Sequence, residues 1–125
     1  MLICGSKNGK EWNIGIKDPY NKENLLKAIP VPPETCKGIA TSGDYERFIE
    51  KNGKKYSHII NPKTGLPVEN AHSVTVEAPN AITADALSTG ISVGWEDNEF
   101  IKRIAAKQKI KVYMLTGKEL SWKEF

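Results

Sequence analysis

The run Ala84-Asp85-Ala86-Leu87-Ser88-Thr89 carries an acid and two hydroxyls at a spacing that brings them together in a helix. Asp85, Ser88 and Thr89 then stand at i, i+3 and i+4, so all three lie on one face within a turn. Grouped hard oxygens suit Mg²⁺, which takes one or two carboxylates, a few further oxygens and the phosphates of a bound nucleotide. Each residue also has a plainer account. Asp85 in a first helical turn complements the helix dipole, and Ser88 and Thr89 can bond back to carbonyls of the preceding turn. Two further polar groups are candidates: Thr41-Ser42-Gly43-Asp44, and His58-Ile59 ahead of the loop Asn61-Pro62-Lys63-Thr64-Gly65-Leu66-Pro67. Against these stand a simple turn at Thr41-Ser42-Gly43 and a hydrogen-bonded strand histidine at His58. His72 reads as exposed and receives no role. Ser42, His58 and Asp85 lack the Gly-x-Ser-x-Gly elbow of a serine hydrolase. Two histidines and two isolated cysteines make no zinc set, which leaves a Mg²⁺–phosphate site as the most economical chemistry.

The elements that must position these residues follow from periodicity and breakers. Leu2–Cys4 and Trp12–Ile16 read as a hairpin turning at Lys7-Asn8-Gly9-Lys10. Residues 22–28 read as a turn of helix, and Ile29-Pro30-Val31-Pro32-Pro33 as an extended connector, too proline-rich for a central strand. Half-buried strands are expected over 38–43 and 45–51, broken at Ser42-Gly43-Asp44, and Asn52-Gly53 marks a tight turn into a strand over 55–60. Residues 61–67 form a stiff loop, because proline fixes φ twice and Gly65 allows a reversal. Ser73–Ala78 is a β-branched strand. A helix from Thr83 to about Val93, capped by Thr83 or Asn80, packs its small residues closely on the sheet. Asp97 caps a second helix over 98–107, followed by a strand at Ile110–Leu115 and a short last strand near Leu120-Ser121-Trp122. Strands in hairpins with two helices in the C-terminal half define an α+β class with a largely antiparallel sheet.

Length and composition bound the function. One domain spans 1–125, and 39% apolar with 26% charged residues is the balance of a soluble globular chain with no membrane-spanning run. The net charge of +3 comes from scattered lysines rather than a basic stripe, which argues against nucleic acid. Cys4 and Cys36 are far apart without CxxC spacing and read as two buried thiols. No basic start and apolar stretch of a signal sequence precedes them, so the chain reads as cytoplasmic; if it is a fragment, localisation is open.

Three motifs in order, Ala40-Thr41-Ser42-Gly43-Asp44-Tyr45, Ser57-His58-Ile59-Ile60-Asn61-Pro62-Lys63-Thr64-Gly65-Leu66-Pro67 and Ala84-Asp85-Ala86-Leu87-Ser88-Thr89, resemble the FAD:protein FMN transferases, the ApbE-type flavin transferases. The strand Trp12–Lys17 ending in Asp18-Pro19 resembles them too. The resemblance implies an ApbE-like fold and a Mg²⁺-dependent reaction that moves FMN from FAD onto a threonine or serine of an acceptor protein and releases AMP; some members hydrolyse FAD instead. It implies metal ligation by Asp85 and Thr89 with a further oxygen from Ser88, catalytic roles for Asp85 and His58, and flavin contacts by His58, Ile59 and Ser42. Asn61 and Lys63 stand where the family usually has Asp and Arg, which keeps the loop's shape but removes an acid and a bidentate phosphate fork. The resemblance extends only to the C-terminal part of the family, so an N-terminal half or a second copy of the chain is an expected partner. The competing reading is a non-enzymatic module that keeps this scaffold and binds a flavin, a nucleotide or a protein.

Overall fold

The computed structural model describes residues 1–125 apart from Lys22 and Glu46. In chain order the elements are β1 (Leu2–Cys4), β2 (Trp12–Lys17), β3 (Leu25–Val31), β4 (Cys36–Ser42), β5 (Phe48–Lys51), β6 (Lys54–Ser57), β7 (Ala71–Ala78), α1 (Ala81–Val93), α2 (Asn98–Gln108), β8 (Lys111–Thr116) and β9 (Ser121–Glu124). One antiparallel sheet runs β1-β4-β7-β8-β9, and β2-β3 and β5-β6 form separate two-stranded ribbons. The α+β class and its antiparallel sheet are as the sequence indicates.

Alternation along β7 explains the layering. Val74, Val76 and Ala78 point to one face and join Ala84 and Ile91 of α1, Ile101 and Ala105 of α2, and Val112 and Met114 of β8 in the main core. Burying each large aliphatic side chain there contributes roughly 1.5–3 kcal/mol. The opposite face is covered by the β2-β3 ribbon, whose Ile16, Ile29 and Val31 pack on Ile39 and Tyr113. Two faces buried leave the polar residues of β7 needing partners inside. Thr75 bonds Thr41 across the strand pair at 2.8 Å, and Glu77 takes Lys37 at 2.8 Å and the Tyr113 hydroxyl at 3.2 Å.

α1 sits close to the sheet because its inward residues, Ala84, Ser88, Ile91 and Ser92, are mostly small. Gly38 of β4 completes the fit: a Cβ there would overlap the Asn80 carbonyl group and stand 2.6 Å from the Ala81 nitrogen. Asn80, with its side chain accepting from the Thr83 amide at 2.8 Å, is the cap rather than Thr83. Asp97 caps α2 as expected, accepting from the Phe100 amide at 2.8 Å. Asn52 and Gly53, both at positive φ, close the β5-β6 hairpin.

Three expectations are corrected. β1 and β2 do not pair: β1 joins β4, and β2 pairs with β3. Only the Lys7–Lys10 turn between them is kept, by mutual backbone bonds of 3.1 and 3.0 Å. The helical turn over 22–28 is absent where described, since Leu25–Val31 is a strand; Lys22 lies outside the described residues. Pro30 is tolerated within it because each strand of a two-stranded ribbon has a free edge, where a missing N–H breaks no ladder. Finally, Cys4 and Cys36 are exposed cross-strand partners joined as a disulfide, not two buried thiols. Their 32-residue separation hid a pairing that only the β1–β4 register creates.

Candidate functional site

The helix α1 carries Asp85, Ser88 and Thr89 towards the end of β4, where Ser42 points to the same side as the helix. Ser42 Oγ lies 2.8 Å from Ser88 Oγ and 3.1 Å from Thr89 Oγ1. Sequence reasoning assigned these residues to two motifs; the fold makes them one cluster. Asp85 is exposed, and among the described residues its carboxylate has no hydrogen-bond or ion-pair partner. It is the fifth residue of α1, beyond the first turn, so the helix-dipole account of it loses its footing.

Ser88 is fully buried and its hydroxyl donates to the Asp85 carbonyl at 3.0 Å, the back-bonding its position allows. Ser92 does the same one turn on, donating to the Ser88 carbonyl at 2.8 Å. Ser88 is therefore committed to the interior, whereas Asp85 and Thr89 face solvent. No three His, Cys, Asp or Glu side chains are grouped as a metal cage among the described residues. A single free carboxylate one turn from a hydroxyl is a poor zinc set and fits Mg²⁺, which leaves most of its positions to water and phosphate.

His58 lies just beyond β6 and is exposed. Its Nδ1 donates to the Arg47 carbonyl at 2.9 Å, since a carbonyl only accepts, which leaves the lone pair of the neutral ring on Nε2, without a partner among the described residues. Ile59 is in the main core, its carbonyl taken by the Val68 amide at 2.8 Å, and it serves as the anchor that fixes His58. The following loop is built on Asn61. Its Oδ1 accepts from the Lys63 amide at 2.9 Å, and its carbonyl accepts from Thr64 and Gly65 at 3.2 and 2.8 Å. An amide keeps this turn as well as an acid would, with loss of the charge alone.

Sequence reasoning missed His72, which is half-buried rather than exposed. Its Nδ1 is 2.7 Å from the Tyr20 hydroxyl and 3.1 Å from Asp44 Oδ2, and Nε2 donates to the Gly117 carbonyl at 3.1 Å. One imidazole thus ties together the turns after β2, β4 and β8. Burial, then the charges of Asp44 and Asp18, push the Tyr20 phenol above its ordinary range. Tyr20, Asp44 and His72 line a cleft of about 600 Å³. No sequence signal joins residues that far apart; only the register does.

An antiparallel sheet with two helices on one face, and an oxygen cluster where β4 meets the first helix, define a class of protein by architecture and chemistry together. The ApbE family profile matches residues 1–114. The FAD:protein FMN transferase of Escherichia coli K12 is 41% identical over 116 residues, 92% of this chain and 32% of that protein. That of Vibrio cholerae is 36% identical over 121 residues, 96% of this chain and 35% of that protein. Among solved structures, the ApbE protein of Thermotoga maritima superposes with a TM-score of 0.79 at 33% identity, over 95% of this chain and 38% of that one. The flavin transferase ApbE from Vibrio cholerae does so at 0.63 and 33%, over 98% and 37%. This chain belongs to the ApbE family of flavin transferases. It spans about a third of the length of the curated relatives it matches.

Proposed function

We propose that this chain carries the magnesium-binding part of an FAD:protein FMN transferase site. The observation that carries the reading is the pair formed by the Asp85 carboxylate, unpartnered among the described residues, and the hydroxyl of exposed Thr89, one turn apart on α1 beside Ser42. In this reading Asp85 and Thr89 hold Mg²⁺, which supplies neutralisation of the charge that develops on the phosphate oxygens. FAD is the substrate. The acceptor hydroxyl oxygen forms a bond to the FMN phosphorus, the bond from that phosphorus to the bridging oxygen breaks, and AMP leaves with the electron pair. His58 Nε2, exposed and oriented by the Arg47 carbonyl, is the group of this chain suited to take the hydroxyl proton. The acceptor is a protein threonine or serine, and the remaining wall of the flavin site comes from an N-terminal half or a second copy of the chain.

Titrating the chain with FAD, with and without Mg²⁺, tests the reading. Metal-dependent flavin binding supports it, and absence of binding under both conditions sinks it for this chain. A flavin adduct on an acceptor peptide needs the other half; binding without any adduct once that half is supplied favours the non-enzymatic module instead.

The Cys4–Cys36 bridge bears on location. Exposed disulfides persist in oxidising compartments and are rare in reducing cytosol. We place the chain in an oxidising compartment, in contrast to the cytoplasmic expectation. Alkylation of thiols at the moment of cell lysis checks this: two blocked cysteines in the native protein would return it to the cytoplasm.

A further inference from the structure

Hydrogen-bond direction within the oxygen cluster can be settled by counting protons, and this extends the metal-site reading above, on which it rests. The Asp85 carbonyl has no proton, so Ser88 must donate its only hydroxyl proton there, at 3.0 Å. The 2.8 Å contact between Ser42 and Ser88 then requires Ser42 to be the donor. With its own proton spent, Ser42 can only accept in the 3.1 Å contact with Thr89. The chain runs one way: Thr89 to Ser42 to Ser88 to the Asp85 carbonyl.

We infer that Ser42 is a positioning residue, which holds the Thr89 hydroxyl with its proton turned towards β4 and its lone pairs turned outward beside Asp85, ready for a hard cation. A helical threonine otherwise divides its χ1 between two states, one of which sends the hydroxyl back to a carbonyl of the preceding turn. Acceptance by Ser42 selects one state. Donation in a chain also polarises the Thr89 oxygen and makes it a better ligand. Buried Ser88 is the fixed end of the relay, so the direction set inside the core reaches an atom at the surface. This differs from a direct flavin contact by Ser42, the role that the family resemblance implies for it.

The experiment measures Mg²⁺ affinity calorimetrically, without flavin, for the wild type, Ser42→Ala, Thr89→Val, the double variant and Ser42→Thr, with folding checked by circular dichroism. Loss of one hydrogen bond predicts roughly two- to tenfold weaker Mg²⁺ binding for Ser42→Ala. Thr89→Val binds at least as weakly, the double variant no more weakly than Thr89→Val, and Ser42→Thr restores binding, because Ser42 acts only through Thr89. Unchanged affinity in Ser42→Ala, or independent effects that multiply in the double variant, overturns the inference. So does a Ser42→Ala protein that loses FAD affinity at saturating Mg²⁺ with Mg²⁺ affinity intact, the pattern of a direct flavin contact. A wild type that takes up no Mg²⁺ defeats the metal-site reading itself, whereas a wild type that binds irrespective of Ser42 defeats the positioning role alone.

Discussion

Replacing Gly38 by alanine should disturb the metal site from the N-terminal end of the helix. The added methyl would overlap the Asn80 carbonyl group and meet the Ala81 nitrogen at 2.6 Å, where ordinary contact begins at 3.4 Å. All these atoms are backbone at the cap of α1, so no rotamer change relieves them. The Ala81 nitrogen alone must retreat by about 0.8 Å, and α1 moves with it. Overpacking of this kind costs about 1–3 kcal/mol. For a chain of this length each kcal/mol lowers the midpoint by roughly 4 °C, so Gly38→Ala should melt roughly 4–12 °C below wild type. Asp85 and Thr89 ride together on the displaced helix, but Ser42 stays on β4, so its contacts with Ser88 and Thr89 at 2.8 and 3.1 Å are lost and Mg²⁺ affinity should fall roughly two- to tenfold. Thermal denaturation followed by circular dichroism and Mg²⁺ calorimetry read both effects. A midpoint within about 2 °C of wild type together with unchanged affinity would refute the argument that glycine is required for helix approach.

Reduction, or Cys4→Ser with Cys36→Ser, should destabilise the fold by about 3.7 kcal/mol from loop entropy at a separation of 32 residues; urea denaturation with and without dithiothreitol measures it, and coincident curves would contradict the bridge. Asp85→Asn should keep stability within about 0.5 kcal/mol, because the carboxylate is exposed and unpartnered among the described residues, yet lose Mg²⁺ binding. Ile101→Ala, at a fully buried α2 position, should cost about 2–5 kcal/mol in chemical denaturation. Burial, then the charge and hydrogen bond of Glu77, hold the Tyr113 phenol far above its usual range. Because the folded pKa is raised, its contribution is complete below about pH 10 and is lost as pH rises further. Phenolate absorbance should show one tyrosine ionising last, only as the protein unfolds, and Tyr113→Phe should remove that step.

Local order was legible where one residue dictates one conformation. Asp97 announces the cap of α2, Asn52-Gly53 a turn and β-branched alternation β7, whereas the choice between Thr83 and Asn80 as the cap of α1 was made only by the structure, for Asn80. Pairing was not. Lys7-Asn8-Gly9-Lys10 does form a tight turn, but its flanking strands diverge to different sheets, since strand choice is decided by distant apolar faces such as Ile39 and Tyr113. The same limit governs the site. Asp85 and Thr89 share an exposed helix face by local geometry, so their pairing could be read directly, whereas the burial of Ser88 against the sheet could not. Ser42 meeting Ser88, Cys4 meeting Cys36 and His72 meeting Tyr20 and Asp44 all depend on register between segments remote in the chain.

The Cys4–Cys36 bridge also decides how the molecule bears a mechanical load. Tension applied at the two termini passes from β1 through the sulfur atoms directly into β4, so residues 5–35, with the whole β2-β3 ribbon, lie off the line of force. At about 3.3–3.6 Å per extended residue, roughly 110 Å of contour stays locked until the bridge is reduced. A pulled molecule should therefore gain that length in a single step when reductant is added.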